Sequence, residues 1–300
     1  MPGRATAPER GEFGAFTNEH RILYTRQWEG ERFADGRPRV PDDILDRMAN
    51  VTVTQAWGVL RGDGYEHQYD DGWVCTQPHE TLVGRAVTAQ YMPRRPELRA
   101  LFEEQGETGG HIGDQISWPI DTLVDGDVYV ADVYGKIDQG PIMGDNLGMA
   151  IYTNAGRGVV HDCAVRDLDG LEELPNFPCY VRGFHPTYAS PTIMLMGINV
   201  PTRIGQATVM PGDIVLGKRE GLIFIPPHLA EKVVKTSEIV RLRDQFGKLR
   251  LQEGKYTPGQ IDARWTDDIE TDFSRWLEGH MDELSVPKSA IQELLKERTW

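Results

Sequence analysis

Between residues 113 and 183, stretches with helical spacing alternate with short β-prone runs, and this alternation restricts the fold more than any other feature of the chain. A helix expected over 113–124 leads into a strand at 126–132, a helix over 145–156 into 158–163, and a short helix over 168–174 into 179–183. Such alternation builds a parallel or mixed sheet covered by helices, because a helix between two strands lets both run in the same direction. Upstream, Pro41, Asp42 and Asp43 mark a helix start ahead of Ile44, Leu45, Met48 and Val51, and residues 82–92 read as a strand. Residues 93–110 read as an exposed helix or loop. Downstream, 193–200, 204–209, 213–216 and 221–225 are short β-prone runs with Gly and Pro between them, which predicts antiparallel pairing. Pro226 and Pro227 open a long helix to about residue 252, and 262–300 is a charged helical tail. Residues 1–40, rich in Gly, Pro and charge, read as an extended arm that packs on a neighbour.

A hydrophobic content of 39% over 300 residues is enough for a full core, in one large domain with appendages. The net charge of -14, with no run of Lys and Arg, argues against a nucleic-acid partner, which needs a basic face to displace counterions. No apolar stretch approaches the ~20 residues that span a bilayer, and the first residues lack the apolar centre of a signal peptide, so a cytoplasmic protein without a membrane partner is expected. Cys75, Cys163 and Cys179 are odd in number and show no C-x-x-C pair, which points to reduced, buried thiols.

The densest group of chemically useful residues is Gly144-Asp145-Asn146-Leu147 at a helix start, followed one helix and one strand later by Arg166-Asp167-Leu168-Asp169-Gly170. Junctions of this kind in α/β sheets collect ligands, since helix N-termini aim free N–H groups outward. Asp145 is placed to cap its helix, and the amides of Asn146 and Leu147 face an anion such as a carboxylate. Arg166 offers a forked donor matched to a carboxylate, and Asp167 a hard oxygen ligand suited to Mg²⁺ or Mn²⁺. The bland alternative is a helix cap and a surface ion pair. His161, Asp162 and Cys163 are strand neighbours pointing to opposite faces and cannot form a nucleophilic relay. His111 and His185 are solvated or core histidines before they are acid-base groups.

The stretch GDNLGMAIYTNAGRGVVHDCAVRDLDG (144–170) resembles the class II pyruvate aldolases that cleave 4-hydroxy-4-methyl-2-oxoglutarate and 4-carboxy-4-hydroxy-2-oxoadipate. The similarity extends to VTVTQAW (51–57), GDVYVAD (126–132) and PGDIVLGKREGLIFIP (211–226). It implies an α/β fold: a layered α-β-β-α sandwich with a central mixed sheet. It covers the expected catalytic domain (41–253), while the N-terminal arm (1–40) and the C-terminal helical extension (254–300), expected from the chain's own pattern, have no counterpart in it.

Carried over residue by residue, the resemblance implies that Asp167 holds a divalent Mg²⁺ or Mn²⁺ ion, partly through water, and that Arg166 contacts the keto acid. Asn146 and Leu147 bind its carboxylate through their amides, and Asp145 organises a catalytic water or proton. It further implies a homotrimer or homohexamer in which Asp244, on the long helix, reaches the neighbouring subunit's pocket. The expected activity is a carbon–carbon lyase that cleaves a 4-hydroxy-2-oxo acid to pyruvate or a related 2-oxo acid, with oxaloacetate decarboxylation as a related reaction. The alternatives are a sugar-acid lyase or dehydratase using the same enolate chemistry, and a non-catalytic regulator of the same fold. Regulators of ribonuclease activity in this family lack the metal-binding Asp after the Arg, whereas Asp167 is present here. Three departures accompany the resemblance: Cys163 where Gly is common, Gln55 where Asp is frequent, and atypical segments at 138–143 and around His67, Trp73 and His79. Both segments are expected to line or lid the pocket.

Overall fold

The computed structural model describes residues 13–284 and 286–294. Helices α1 (Asn18–Tyr24), α2 (Asp42–Met48) and α3 (Val53–Gly62) precede the short strands β1 (Tyr69–Asp70) and β2 (Val74–Cys75). There follow β3 (Leu82–Pro93), α4 (Pro96–Thr108), β4 (Asp127–Lys136), α5 (Asp145–Ala155), β5 (Val159–Val165), α6 (Leu168–Glu172) and β6 (Cys179–Phe184). Strands β7 (Ile193–Ile198), β8 (Thr202–Ile204), β9 (Ala207–Val209), β10 (Ile214–Lys218) and β11 (Gly221–Ile225) complete the β structure. The chain ends in α7 (Pro227–Gln252), α8 (Pro258–Ile261), α9 (Asp267–His280) and α10 (Lys288–Leu294). Two compact units divide between Ala230 and Glu231, inside α7. No helix among the described residues is long and apolar enough to cross a membrane.

The first unit is mixed α/β around a central mixed sheet, ordered β1-β11-β10-β3-β4-β5-β6-β2, with β7 also pairing with β3. Strands β3 to β6 run parallel to one another, and β10, β11, β7 and the two edge strands pair antiparallel, as the two halves of the sequence pattern predict. Side chains of the parallel strands alternate between two apolar layers. Tyr129, Val159 and Val181 meet α5 and α6 through Ile151 and Leu171. Val130, Val160 and Tyr180 meet the β8–β9 hairpin through Ile204, Ala207 and Val209. Gln55 has a local reason to be where it is: Thr52 Oγ1 accepts from the Gln55 N–H at 3.2 Å and Gln55 Oε1 from the Thr52 N–H at 3.1 Å, a reciprocal cap that starts α3.

One sequence expectation is corrected here. Residues 113–124 are not a helix but a series of turns with one 3₁₀ turn at Ile120–Thr122. Gly113 sits in the left-handed region at φ 79°. Asp114 takes the Ile116 N–H at 3.1 Å, and Pro119 has no N–H to continue a ladder. The apolar spacing arose because Trp118, Ile120 and Leu123 all bury in the core. The arm at 1–40, within its described part, packs on its own chain: Phe13 is buried edge-on to Trp118. Arg37, 1% exposed, grips Asp127 through both terminal nitrogens at 3.2 Å.

The second unit is assembled by α7 and α9. Leu242 and Phe246 meet Trp265, Ile269, Phe273 and Trp276 in one cluster, and the Arg243 guanidinium lies 4.1 Å over the Trp265 ring.

Asp213, at the turn before β10, accepts the Met210 N–H at 2.8 Å and is fully buried, and burial pushes its carboxyl up to about 8. Its unfolded value is about 3.9. A carboxyl raised on folding is neutral in the native state and ionised in the unfolded state between those values. Its contribution to stability therefore falls as pH rises from about 4 through about 8 and is level outside that window. Asp213→Asn retains the acceptor for Met210 and is expected to flatten that part of the decline. Urea unfolding of both proteins at pH 5 and pH 8 measures it; equal pH dependence in parent and variant would refute the assignment.

Candidate active site

The sheet brings the two sequence motifs together at the ends of β4 and β5. Gly144 caps α5 in extended conformation without a side-chain bond, and Asp145 is the first residue of the helix. The expected cap is thus Gly144, not Asp145, whose Oδ1 accepts the adjacent Asn146 N–H at 2.7 Å. Strand β5 ends at Val165, and the Arg166 N–H donates to the Met143 carbonyl at 3.3 Å, tying the second motif to the residue before the first.

The glycines of both motifs are required by close approach. A Cβ on Gly144 would lie 2.3 Å from Asp167 Oδ2 and 3.2 Å from Cγ and Nε of Arg166. A Cβ on Gly170 would lie 2.7 Å from the Asp145 Cβ. Each motif therefore presses its glycine against the charged residues of the other. Asp167 has left-handed backbone, φ 57° and ψ 48°, and stands at the start of α6 without a side-chain cap bond. A carboxylate at a helix start that does not cap it, held in a sparsely populated conformation, is a common mark of a functional position. Its nearest cationic atom is Arg166 Nε at 3.6 Å, and both side chains are close to half exposed.

The segments at 138–143 and 184–190 border this junction. The His185 N–H donates to the Val165 carbonyl at 3.1 Å, and the Ala189 N–H to the Pro141 carbonyl at 2.8 Å. The His185 ring lies between Asp138 Oδ1, 3.3 Å from Nε2, and Thr187 Oγ1, 2.8 Å from Nδ1. The sequence offered His185 as a solvated or core histidine first and an acid-base group second. The atypical insertion, by contrast, is anchored elsewhere: Trp73 stacks 3.6 Å from the Arg182 guanidinium, which also binds Asp162 at 2.6 Å and Asp70 at 2.7 Å. His67 and His79 are exposed.

The other candidates fall as the strand periodicity predicts. His161 and Cys163 point into the helix-side layer while Asp162 points the opposite way to Arg182. Burial lowers His161 to about 3 and raises the Cys163 thiol far above its ordinary range, so both are uncharged and inert. All three cysteines are free. His111 stacks on Trp118 in the core. Asp145 and Asn146 are exposed beside Arg166 and Asp167, and Leu147 is half-buried against the helix-side core. Asp244 belongs to the second unit, where it is exposed on α7.

Among the described residues no cluster of three or more His, Cys, Asp or Glu could enclose a metal. A single accessible carboxylate suits a hard cation such as Mg²⁺, which commonly keeps several waters and takes one or two carboxylates plus substrate oxygens. Asp167 fits that role, because it is neither used as a cap nor closely paired. A cavity of about 330 Å³ in the same unit shares no residue with this junction. Convergence of the two motifs, not concavity, is what makes this junction the candidate.

Gly144→Ala is expected to displace the Asp167 carboxylate and the Arg166 stem together, since a methyl group cannot occupy the space they fill. Turnover should drop about a hundredfold for a displacement of ~1 Å, with little change in unfolding temperature. Steady-state kinetics beside thermal unfolding separate the two effects; unchanged turnover would show that Asp167 does not need its present position.

Residues 43–224 match the family model described as RraA-like, Aldolase/RraA. A Legionella pneumophila protein named DlpA is 27% identical over 215 residues, covering 71% of this chain and 32% of that protein. A Halalkalibacterium halodurans protein, provisionally named a 4-hydroxy-4-methyl-2-oxoglutarate aldolase, is 36% identical over 121 residues, 40% of this chain and 56% of that protein. The chain thus spans between 32% and 56% of the length of these curated relatives. In fold, an uncharacterised Pseudomonas syringae protein superposes with a TM-score of 0.61 at 22% identity, covering 75% of this chain and 100% of that one. The Streptomyces coelicolor protein RraAS2, titled an unusual member of the RNase ES inhibitor RraA family, superposes with a TM-score of 0.58 at 23% identity, covering 71% and 98%. With more than half of its length matched by one family model, and the two motifs joined at one sheet end, the chain belongs to the RraA-like aldolase/RraA family.

Proposed function

We propose that this chain is a divalent-metal-dependent carbon–carbon lyase that cleaves a 4-hydroxy-2-oxo acid and releases pyruvate or a related 2-oxo acid. The observation that supports this reading is the interlock of Gly144 with Arg166 and Asp167, which sets a forked cation and an accessible, loosely paired carboxylate beside a helix start. A family model that includes aldolases and an aldolase-named relative agree with it. Arg166 binds the keto-acid oxygens through its guanidinium, and the carboxylate of the substrate takes the amides of Asn146 and Leu147. For this the Asn146 N–H exchanges its present bond to Asp145 for the substrate. Asp145, freed from that bond, accepts the proton of the C4 hydroxyl. The C3–C4 bond breaks, its electron pair enters the pyruvate enolate, and Arg166 balances the developing charge before the enolate is protonated at carbon. A Mg²⁺ or Mn²⁺ ion held by Asp167 and water supplies electrophilic stabilisation to the same oxygens when bound.

The test is pyruvate release from a panel of 4-hydroxy-2-oxo acids, including polyhydroxylated sugar acids, in EDTA and after Mg²⁺ or Mn²⁺ is restored. Metal-restored turnover is expected. Absence of turnover on every member would favour a binding protein of the same fold.

Asp244 is proposed to assist from a neighbouring subunit of a homotrimer or homohexamer. Asp244→Ala and Arg166→Ala are each expected to be nearly inactive, and refolding them together to return a substantial fraction of activity. No recovery in hybrids verified by mass would confine Asp244 to its own chain.

A further inference from the structure

The first unit contains a cavity of about 330 Å³ that the proposed chemistry does not use. This volume is at the small end of ligand pockets. Tyr24 and Trp28, from the segment before the family match, form part of its wall together with Tyr65, Asp213 and His228. The rings are held in place. Trp28 Nε1 donates to the Glu31 carbonyl at 2.7 Å, and the Tyr65 hydroxyl lies 3.3 Å from His228 Nε2.

Its charge pattern is one-sided. Among the described residues no Lys or Arg lines the cavity, and no basic side chain pairs with Asp213, whose Oδ2 accepts only the Met210 N–H. Burial holds Tyr65 above and His228 below their ordinary values, so both are neutral, and Asp213, raised by burial to about 8, is protonated in the empty cavity at neutral pH. No Lys or Arg among the described residues stands at the wall to hold an anion. An organic cation gains from electron-rich ring faces, and its approach favours the ionised form of the Asp213 carboxyl, which then pairs with it.

We propose that this cavity is a binding site for a small organic ammonium ion, walled by Tyr24, Trp28 and Tyr65 and neutralised by Asp213. The N-terminal segment supplies two of the three rings, so ligand binding and docking of that segment are one event. The site is separate from the Asp145–Arg166–Asp167 junction and does not depend on its chemistry.

Calorimetric titration of the full chain with choline and with butylammonium tests the proposal, against the neutral isostere 3,3-dimethylbutan-1-ol and the anion butanoate. Saturable binding of at least one cation, at least about tenfold tighter than the alcohol, is expected. Trp28→Leu and Asp213→Asn should each weaken it by about tenfold or more while 2-oxo acid turnover is unchanged. Equal affinity for the alcohol, or no saturable binding of either cation, overturns the proposal. Should Asp213→Asn fail to fold, Trp28→Leu decides: undiminished binding in that variant places the cation elsewhere and equally overturns it.

Discussion

Asp167→Asn should fold like the parent and lose at least about a hundredfold in turnover, because a neutral amide is a far poorer ligand for a hard cation than a carboxylate. The substitution is chosen for its backbone. Asp167 occupies left-handed space at φ 57°, which Asn tolerates and most other residues do not, so stability should not change. The side chain is close to half exposed and makes no cap bond, so little else is removed. Asp167→Ala would mix lost chemistry with backbone strain and is the less informative variant. EDTA should silence the parent and leave the residual activity of the variant nearly untouched. Parent-like turnover of Asp167→Asn under saturating metal would remove this residue from the mechanism, whatever the family resemblance.

Asp127→Ala should cost about 3–5 kcal/mol of stability, because it strands the Arg37 charge inside the protein. Arg37 is 1% exposed and Asp127 0% exposed, and the pair is bidentate at 3.2 Å. Asp127 also holds the Val124 N–H at 3.0 Å, and Arg85 Nε approaches it to 3.8 Å. Arg37 retains Asp35 at 2.7 Å, but that carboxylate is 30% exposed and already occupied. The loss is expected as a lower urea midpoint at unchanged slope. The double variant Arg37→Met/Asp127→Leu should recover much of it, since no buried charge remains unpaired. A single variant as stable as the parent would show that water reaches Arg37 and that the N-terminal segment is held by other contacts, such as Phe13 against Trp118.

Short-range patterns carried much of this protein in plain text. The alternation of α5, β5, α6 and β6 was legible because helix and strand periods are properties of a few adjacent residues, and the parallel half of the sheet follows from them. Asp145, Arg166 and Asp167 were legible as candidates because they sit at element boundaries one helix and one strand apart. The helix expected over 113–124 was not realised, since burial of Trp118 and Ile120 imitated helical spacing while Gly113 and Pro119 broke the ladder.

Tertiary structure alone decided the remainder. That Gly144 must lack a side chain because Asp167 fills its place, that Arg37 finds Asp127 ninety positions away, and that Tyr24, Trp28, Tyr65, Asp213 and His228 enclose one cavity are all long-range events. Local propensity is set by neighbours in the chain, so it can name elements and mark their ends. Which side chains share a buried space is set by packing of the whole unit, where a single Cβ or an unpaired charge decides what can approach.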